Sequence, residues 1–217
     1  MHKFLRRCLY SGQVNQKDPL SLGLCMTLVR LLLKWDSLSA LRTATYIMVS
    51  YAGFLRFSDA RSLFCDKIRF YPTHMELFLE KRKPTQFRHG EVICIARGSS
   101  FACPVRLTFQ LLSSSNSHHS HTPLFPWSYP FTRRTVLQAL ADAAQVPLSE
   151  FSVSFGLHYF RSGGATLVAQ SGVPDHLFQA HGARQSFQSA PLYCPLPHSA
   201  ASPYPSHAVL RLLGGSW

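Results

Sequence analysis

The chemistry-bearing residues of this chain cluster around "GLHYFRSGGATLVAQSGV", residues 156–173, where His158 and Arg161 stand three apart. On a helix that spacing puts both side chains on one face, with about 5–6 Å between their Cβ atoms, so both can address one anion. Further off lie Arg56 in "GFLRFSD", Lys81 and Lys83 in "EKRKPTQFRHG", His181 in "QAHG", and Tyr193 twelve residues after it. Guanidiniums are planar, permanently charged forks that match the non-bridging oxygens of a phosphate. A flexible lysine can act as a general acid. A tyrosine hydroxyl, with a pKa of about 10, becomes a nucleophile when nearby positive charge favours its phenolate. Plainer roles exist for each residue alone: Arg56 pairing with Asp59, Lys83 as a solvated turn residue, His181 capping its helix.

These residues need a scaffold, and the hydrophobic pattern supplies one. Leucines at helical spacing predict a helix from Ser21 to Trp35. Ser37 reads as the N-cap of a second, with Leu38, Leu41, Thr45, Met48 and Ala52 on one face and an end near Gly53. Met75, Leu77 and Leu79 alternate with Glu76, Phe78 and Glu80, a half-buried strand; "EVICIAR" returns from the basic turn to complete a β-hairpin. A helix opens on Pro104, a loop runs from Ser113 to Pro130, and Thr132 caps a helix whose apolar stripe includes Val136, Leu137, Leu140, Ala141 and Ala144. After "GVPDHLFQAHG", a short helix, helical periodicity vanishes. Five of the 14 prolines fall between Pro191 and Pro205, which predicts a poorly ordered tail. Helices around one small hairpin, without βαβ alternation, imply an α+β, mainly α domain.

Lys and Arg number 22 against 10 Asp and Glu, a formal charge of +12, which suits a polyanionic partner, nucleic acid above all. No stretch has the 18 or so uncharged apolar residues of a membrane span, and "MHKFLRRCLY" carries charge without the apolar run of a secretion signal. The six cysteines are scattered without a C-x-x-C pair, which predicts reduced thiols in a nuclear or cytoplasmic protein. His118, His119 and His121 sit in a Ser-rich loop without a Cys or acidic ligand at matching spacing, so no metal site is expected there. Ser162 beside His158 lacks the G-x-S-x-G context of a hydrolase, and "RSGGAT" lacks the lysine and preceding strand of a P-loop, so no cofactor is expected.

Taken in order, "AGFLRFSD", "EKRKPTQFRHG", "LHYFRSGGATLVAQSGV" and "VPDHLFQAHG" resemble the motifs of the tyrosine recombinases, the phage-integrase family, most of all those of eukaryotic mobile elements. The resemblance runs from about Ser37 to His181 and rests chiefly on the H-x-x-R segment. It implies a helical catalytic domain over residues 37–182, preceded by a linker-helix remnant (1–36) and followed by a divergent proline-rich tail (183–217). It also implies double-stranded DNA as partner, with DNA cleavage and rejoining in recombination or integration through a 3′-phosphotyrosine intermediate. Arg56 and Arg161 would bind the scissile phosphate, Lys83 (or Lys81, if the hairpin register slips) would be the general acid, His158 would assist proton transfer, His181 would hydrogen-bond a phosphate oxygen, and Tyr193 would be the nucleophile. The family works as tetramers on DNA; a monomer without DNA is also compatible.

The pattern departs from the family after His181. Element-borne members continue with Arg-Trp and a helix-forming run into the tyrosine, whereas here Pro191 and Pro195 bracket Tyr193. A proline inside a helix costs roughly 3 kcal/mol or more. A catalytically inactive DNA-binding remnant is therefore the alternative expectation. Residues 1–36 are also too short for the family's N-terminal helical domain, so the chain is expected to grip DNA from one face.

Overall fold

The computed structural model describes residues 20–79, 91–145, 148, 155–174, 177 and 181. Lys81, Lys83, Tyr193 and the proline-rich tail lie outside the described residues. The described elements are α1 (Leu22–Lys34), α2 (Leu38–Ala52), α3 (Phe57–Arg61), β1 (Ile68–Phe70), β2 (His74–Leu79), β3 (Glu91–Ala96), α4 (Pro104–Ser114), α5 (Tyr129–Ala144) and α6 (His158–Gln170). They form a mainly helical α+β fold with one antiparallel sheet in the order β1-β2-β3.

Local chemistry explains most boundaries. Ser21 and Ser37 cap α1 and α2, their hydroxyls accepting the backbone N–H of Leu24 and Ala40. Cys103 precedes Pro104 in the first turn of α4, where the missing N–H of proline is harmless. One expectation needs correction. Helix α5 begins one turn early: Ser128, not Thr132, is its cap, and Pro130 belongs to the first helical turn rather than to the loop. The expected small antiparallel hairpin or sheet is present with three strands, because Ile68–Phe70 pairs with Met75–Leu77. Three residues are too few for a period of two to be legible.

Helix α2 lies at the centre, packed by α1, α4 and α6. Its expected single apolar face is an underestimate: Thr43 through Ala52 are all buried, while Leu38 is exposed. Thr45 Oγ1 on this helix donates to the Leu41 carbonyl at 2.8 Å. Tyr46 is buried among the edges of Phe57, Phe125 and Phe160, at centroid distances of 5.6–6.1 Å.

Burial pushes the Tyr46 and Tyr51 phenols above the usual tyrosine range. Unfolded tyrosines ionise near pH ~10 while these stay protonated, so the unfolded state loses protons first. Stability is then expected to fall above pH ~10 by about 1.4 kcal/mol per pH unit for each tyrosine. Tyrosinate absorbance followed through an alkaline titration checks this: the last two tyrosines should ionise only as the fold is lost.

Candidate functional site

The site is organised by the turn that ends α2. Gly53 closes the helix, its N–H donating to the Val49 carbonyl at 2.9 Å. Phe54 then adopts a left-handed conformation, φ 50°. For a bulky residue this costs on the order of 1–3 kcal/mol, and it persists only where the surroundings hold it. Two contacts do so. The Phe54 ring is buried and meets the His181 imidazole edge-on at 4.8 Å between centroids. Its carbonyl accepts a hydrogen bond from the Arg161 guanidinium, 107 residues further along the chain.

Arg56 emerges from that turn as the N-cap residue of α3, with an exposed side chain. The carboxylate of Asp59, one turn later, accepts the backbone N–H of Arg56 at 3.0 Å. The same oxygen, Asp59 Oδ2, lies 3.9 Å from Arg161 Nη1. A single buried carboxylate thus ties together the two arginine-bearing segments. The plain expectation of an Arg56–Asp59 pair holds for the backbone of Arg56, while the guanidinium facing Asp59 belongs to Arg161.

Helix α6 delivers Arg161 because of its two glycines. A Cβ on Gly164 would fall on the Tyr51 carbonyl oxygen, and one on Gly163 on the Leu20 carbonyl and the Tyr51 ring. Only glycine allows α6 to approach the last turn of α2 so closely. Arg161 stands one turn before these glycines, which carries its guanidinium to Phe54 and Asp59.

The start of α6 is held by α5. Arg133 Nε donates to the Phe155 carbonyl at 2.7 Å, and the Leu157 N–H donates to the Tyr129 hydroxyl at 3.3 Å. His158 follows as the first residue of α6, exposed, stacked on Tyr159 at 4.4 Å and lying against the backbone of Gly156. His158 and Arg161 therefore share the first turn of one helix, as their spacing predicts.

His181 is buried, with Nε2 2.7 Å from the Ala52 carbonyl. It reaches the same turn as Arg56 and Arg161, where it meets protein backbone. The described residues thus bring Arg56, Arg161 and His181 to one turn, with His158 beside Arg161 in sequence and on the exposed end of α6. The positions of Lys81, Lys83 and Tyr193 fall outside the described set. Sequence reasoning missed Phe54, Tyr129 and Arg133 as positioning residues, and it named Asp59 only as a partner of Arg56, not of Arg161. Only Asp59, three after Arg56 at the start of a helix, carried a visible signal, that of an acidic residue returning to its N-cap.

This architecture is a tyrosine-recombinase fold. It is similar to the XerH site-specific recombinase bound to difH substrate in a pre-cleavage complex, with a TM-score of 0.58 and 13% identity over 77% of this chain and 47% of that one. It is also similar to the Flpe–Holliday junction complex, with a TM-score of 0.55 and 12% identity over 85% of this chain and 48% of that one. The FLP recombinase–Holliday junction complex matches with a TM-score of 0.55 and 10% identity over 95% and 52%. The chain spans about half the length of these proteins. No protein-family model and no curated protein sequence matches it. Among the described residues no helix is long and apolar enough to cross a membrane.

Proposed function

We propose that this chain binds double-stranded DNA through a phosphate site made by Arg56 and Arg161, and that it is a recombinase-like strand transferase of the mobile-element kind. The observation that carries the reading is the junction at Asp59, which joins the Arg56 backbone to the Arg161 guanidinium within a recombinase-like fold. In the proposed reaction the Tyr193 hydroxyl oxygen attacks the scissile phosphorus, forming a 3′-phosphotyrosine as the bond to the 5′ oxygen breaks. Lys83, or Lys81, gives that oxygen a proton, and His158 assists proton transfer by taking the proton the Tyr193 hydroxyl loses. The two guanidiniums stabilise charge developing on the non-bridging oxygens, a contribution on the order of 10²–10³ in rate per donor. The bond energy stays in the phosphotyrosine, so a free 5′ hydroxyl can rejoin the strand without ATP. His181 is assigned to a phosphate oxygen in this scheme, which requires it to turn from the Ala52 carbonyl. Assembly as a tetramer on paired sites, and a nuclear or cytoplasmic location, belong to the same proposal.

A second reading is favoured by Pro191 and Pro195 around Tyr193: a DNA-binding remnant with the arginine site and no nucleophile. Incubation with nicked duplex DNA, followed by denaturing electrophoresis, separates the two. The first predicts a covalent adduct that Tyr193→Phe abolishes; the second predicts salt-sensitive binding with no adduct. Absence of DNA binding at low salt would sink both.

A further inference from the structure

The outer face of the sheet carries a group of side chains that the arginine site does not use. Along β2, Met75, Leu77 and Leu79 point into the core, so His74 and Glu76 share the opposite face. Cys94 on β3 is the register partner of Glu76 and therefore lies on that face too. The imidazole, carboxylate and thiol ligand atoms all lie within 4.8 Å of one another. We infer that His74, Glu76 and Cys94 form a binding site for a zinc-class divalent ion.

Three features beyond proximity support this. His74 Nε2 and Glu76 Oε1 face each other at 3.9 Å. Two ligands of one tetrahedral zinc stand roughly 3.3–3.8 Å apart, given bonds of about 2.0–2.3 Å. Side-chain rotations of about an ångström would therefore close the set around an ion. The second ring nitrogen, His74 Nδ1, is 3.0 Å from Thr73 Oγ1. In the tautomer whose Nδ1–H donates to that hydroxyl, Nε2 is the ligating nitrogen, the usual support for a metal-bound imidazole. Tyr71 covers the group: its ring stacks on His74 at 4.6 Å and 12°, and its hydroxyl donates to the other Glu76 oxygen at 3.2 Å. His74 and Cys94 are buried while Glu76 is half-exposed, so the group is sheltered yet open on one side.

The ligand types set the ion class. A thiolate and an imidazole favour zinc, cobalt or nickel over magnesium or calcium, which take oxygen ligands. Three protein ligands leave the fourth tetrahedral position to water. The ion would join β2 to β3, the two strands whose connecting segment, residues 80–90, carries Lys81 and Lys83. Arg69, opposite Glu76 on β1, is the rival partner for that carboxylate.

The test is titration of the full chain with Co²⁺ and competition by Zn²⁺. One equivalent is expected to bind with a thiolate-to-cobalt charge-transfer band and the intense ligand-field bands of a tetrahedral site, both displaced by Zn²⁺ and not by excess Mg²⁺. Cys94→Ser should abolish the charge-transfer band. Glu76→Gln, a change on the half-exposed side of the sheet that keeps the side chain's shape, should weaken binding at least 10-fold with an unchanged far-ultraviolet circular dichroism spectrum. Simultaneous alanine substitution of His118, His119 and His121 should leave the spectrum intact. The inference is overturned if no charge-transfer band forms, if the band survives Cys94→Ser, or if the three loop histidines are what removal of binding requires. None of these readouts depends on DNA.

Discussion

Gly164→Ala is expected to destabilise the protein by about 3 kcal/mol and to disable the arginine site with it. The added methyl would meet the Tyr51 carbonyl oxygen, a backbone atom in the last turn of α2. Backbone cannot rotate aside as a side chain can, so α6 must shift away from α2. That shift withdraws Arg161 from Phe54 and Asp59, leaving a strained turn and a buried carboxylate without their guanidinium. Ordinarily alanine stabilises a helix relative to glycine by about 0.5–1 kcal/mol. Gly23, in α1, has nothing within 4 Å of the position a Cβ would take. Gly23→Ala should therefore stabilise by about 0.5 kcal/mol, the opposite sign. Urea unfolding of both variants, with duplex-DNA binding measured alongside, decides the matter. Equal behaviour of the two would mean that the close crossing of α2 and α6 is not what Gly164 supplies.

The two arginines should separate in stability while agreeing in DNA binding. Arg161→Ala is expected to cost about 2 kcal/mol, because the 15%-exposed side chain holds the Phe54 carbonyl and faces Asp59, itself only 5% exposed. Arg56→Ala should stay within about 0.5 kcal/mol of the parent. Its side chain is exposed, and what Asp59 holds is the Arg56 backbone N–H, which alanine keeps. Under the proposed function each substitution weakens duplex binding and lowers the salt slope, the dependence of log K on log salt, by about 1. Arg161→Lys should recover part of the charge effect and little of the stability, since a compact ammonium cannot span the carbonyl and the carboxylate as the fork does. Denaturant titration and salt-dependent binding isotherms give both quantities. A fall in stability for Arg56→Ala as large as that for Arg161→Ala would show that the division of labour is wrong.

Local signals in the chain were decisive wherever the physics was local. Ser37 announces a helix start because its hydroxyl satisfies an N–H three residues on, and Pro104 does so because a first turn needs no proline N–H. Alternation at Met75, Leu77 and Leu79 marks the strand that buries them. The H-x-x-R spacing places His158 and Arg161 in one helical turn whatever the rest of the fold does. Where several weak signals compete, the reading slipped: Ser128 and Thr132 are both good caps, and packing of Tyr129 toward Phe57 goes with the earlier start.

Residue types and short-range spacing thus determined the helices, the hairpin, the basic character and the list of groups able to hold a phosphate. Tertiary structure alone decided which of them meet. Asp59 acquires its second role only because two glycines let α6 close on α2 across more than a hundred residues of chain. His74, Glu76 and Cys94 become one cluster only through the β2–β3 register. A one-residue slip in that register would turn Cys94 to the other face of the sheet. Spacing along a helix or strand is set by bond geometry, and so is written in the sequence. Contact between distant segments depends on how closely whole elements can approach, which only the packed core decides.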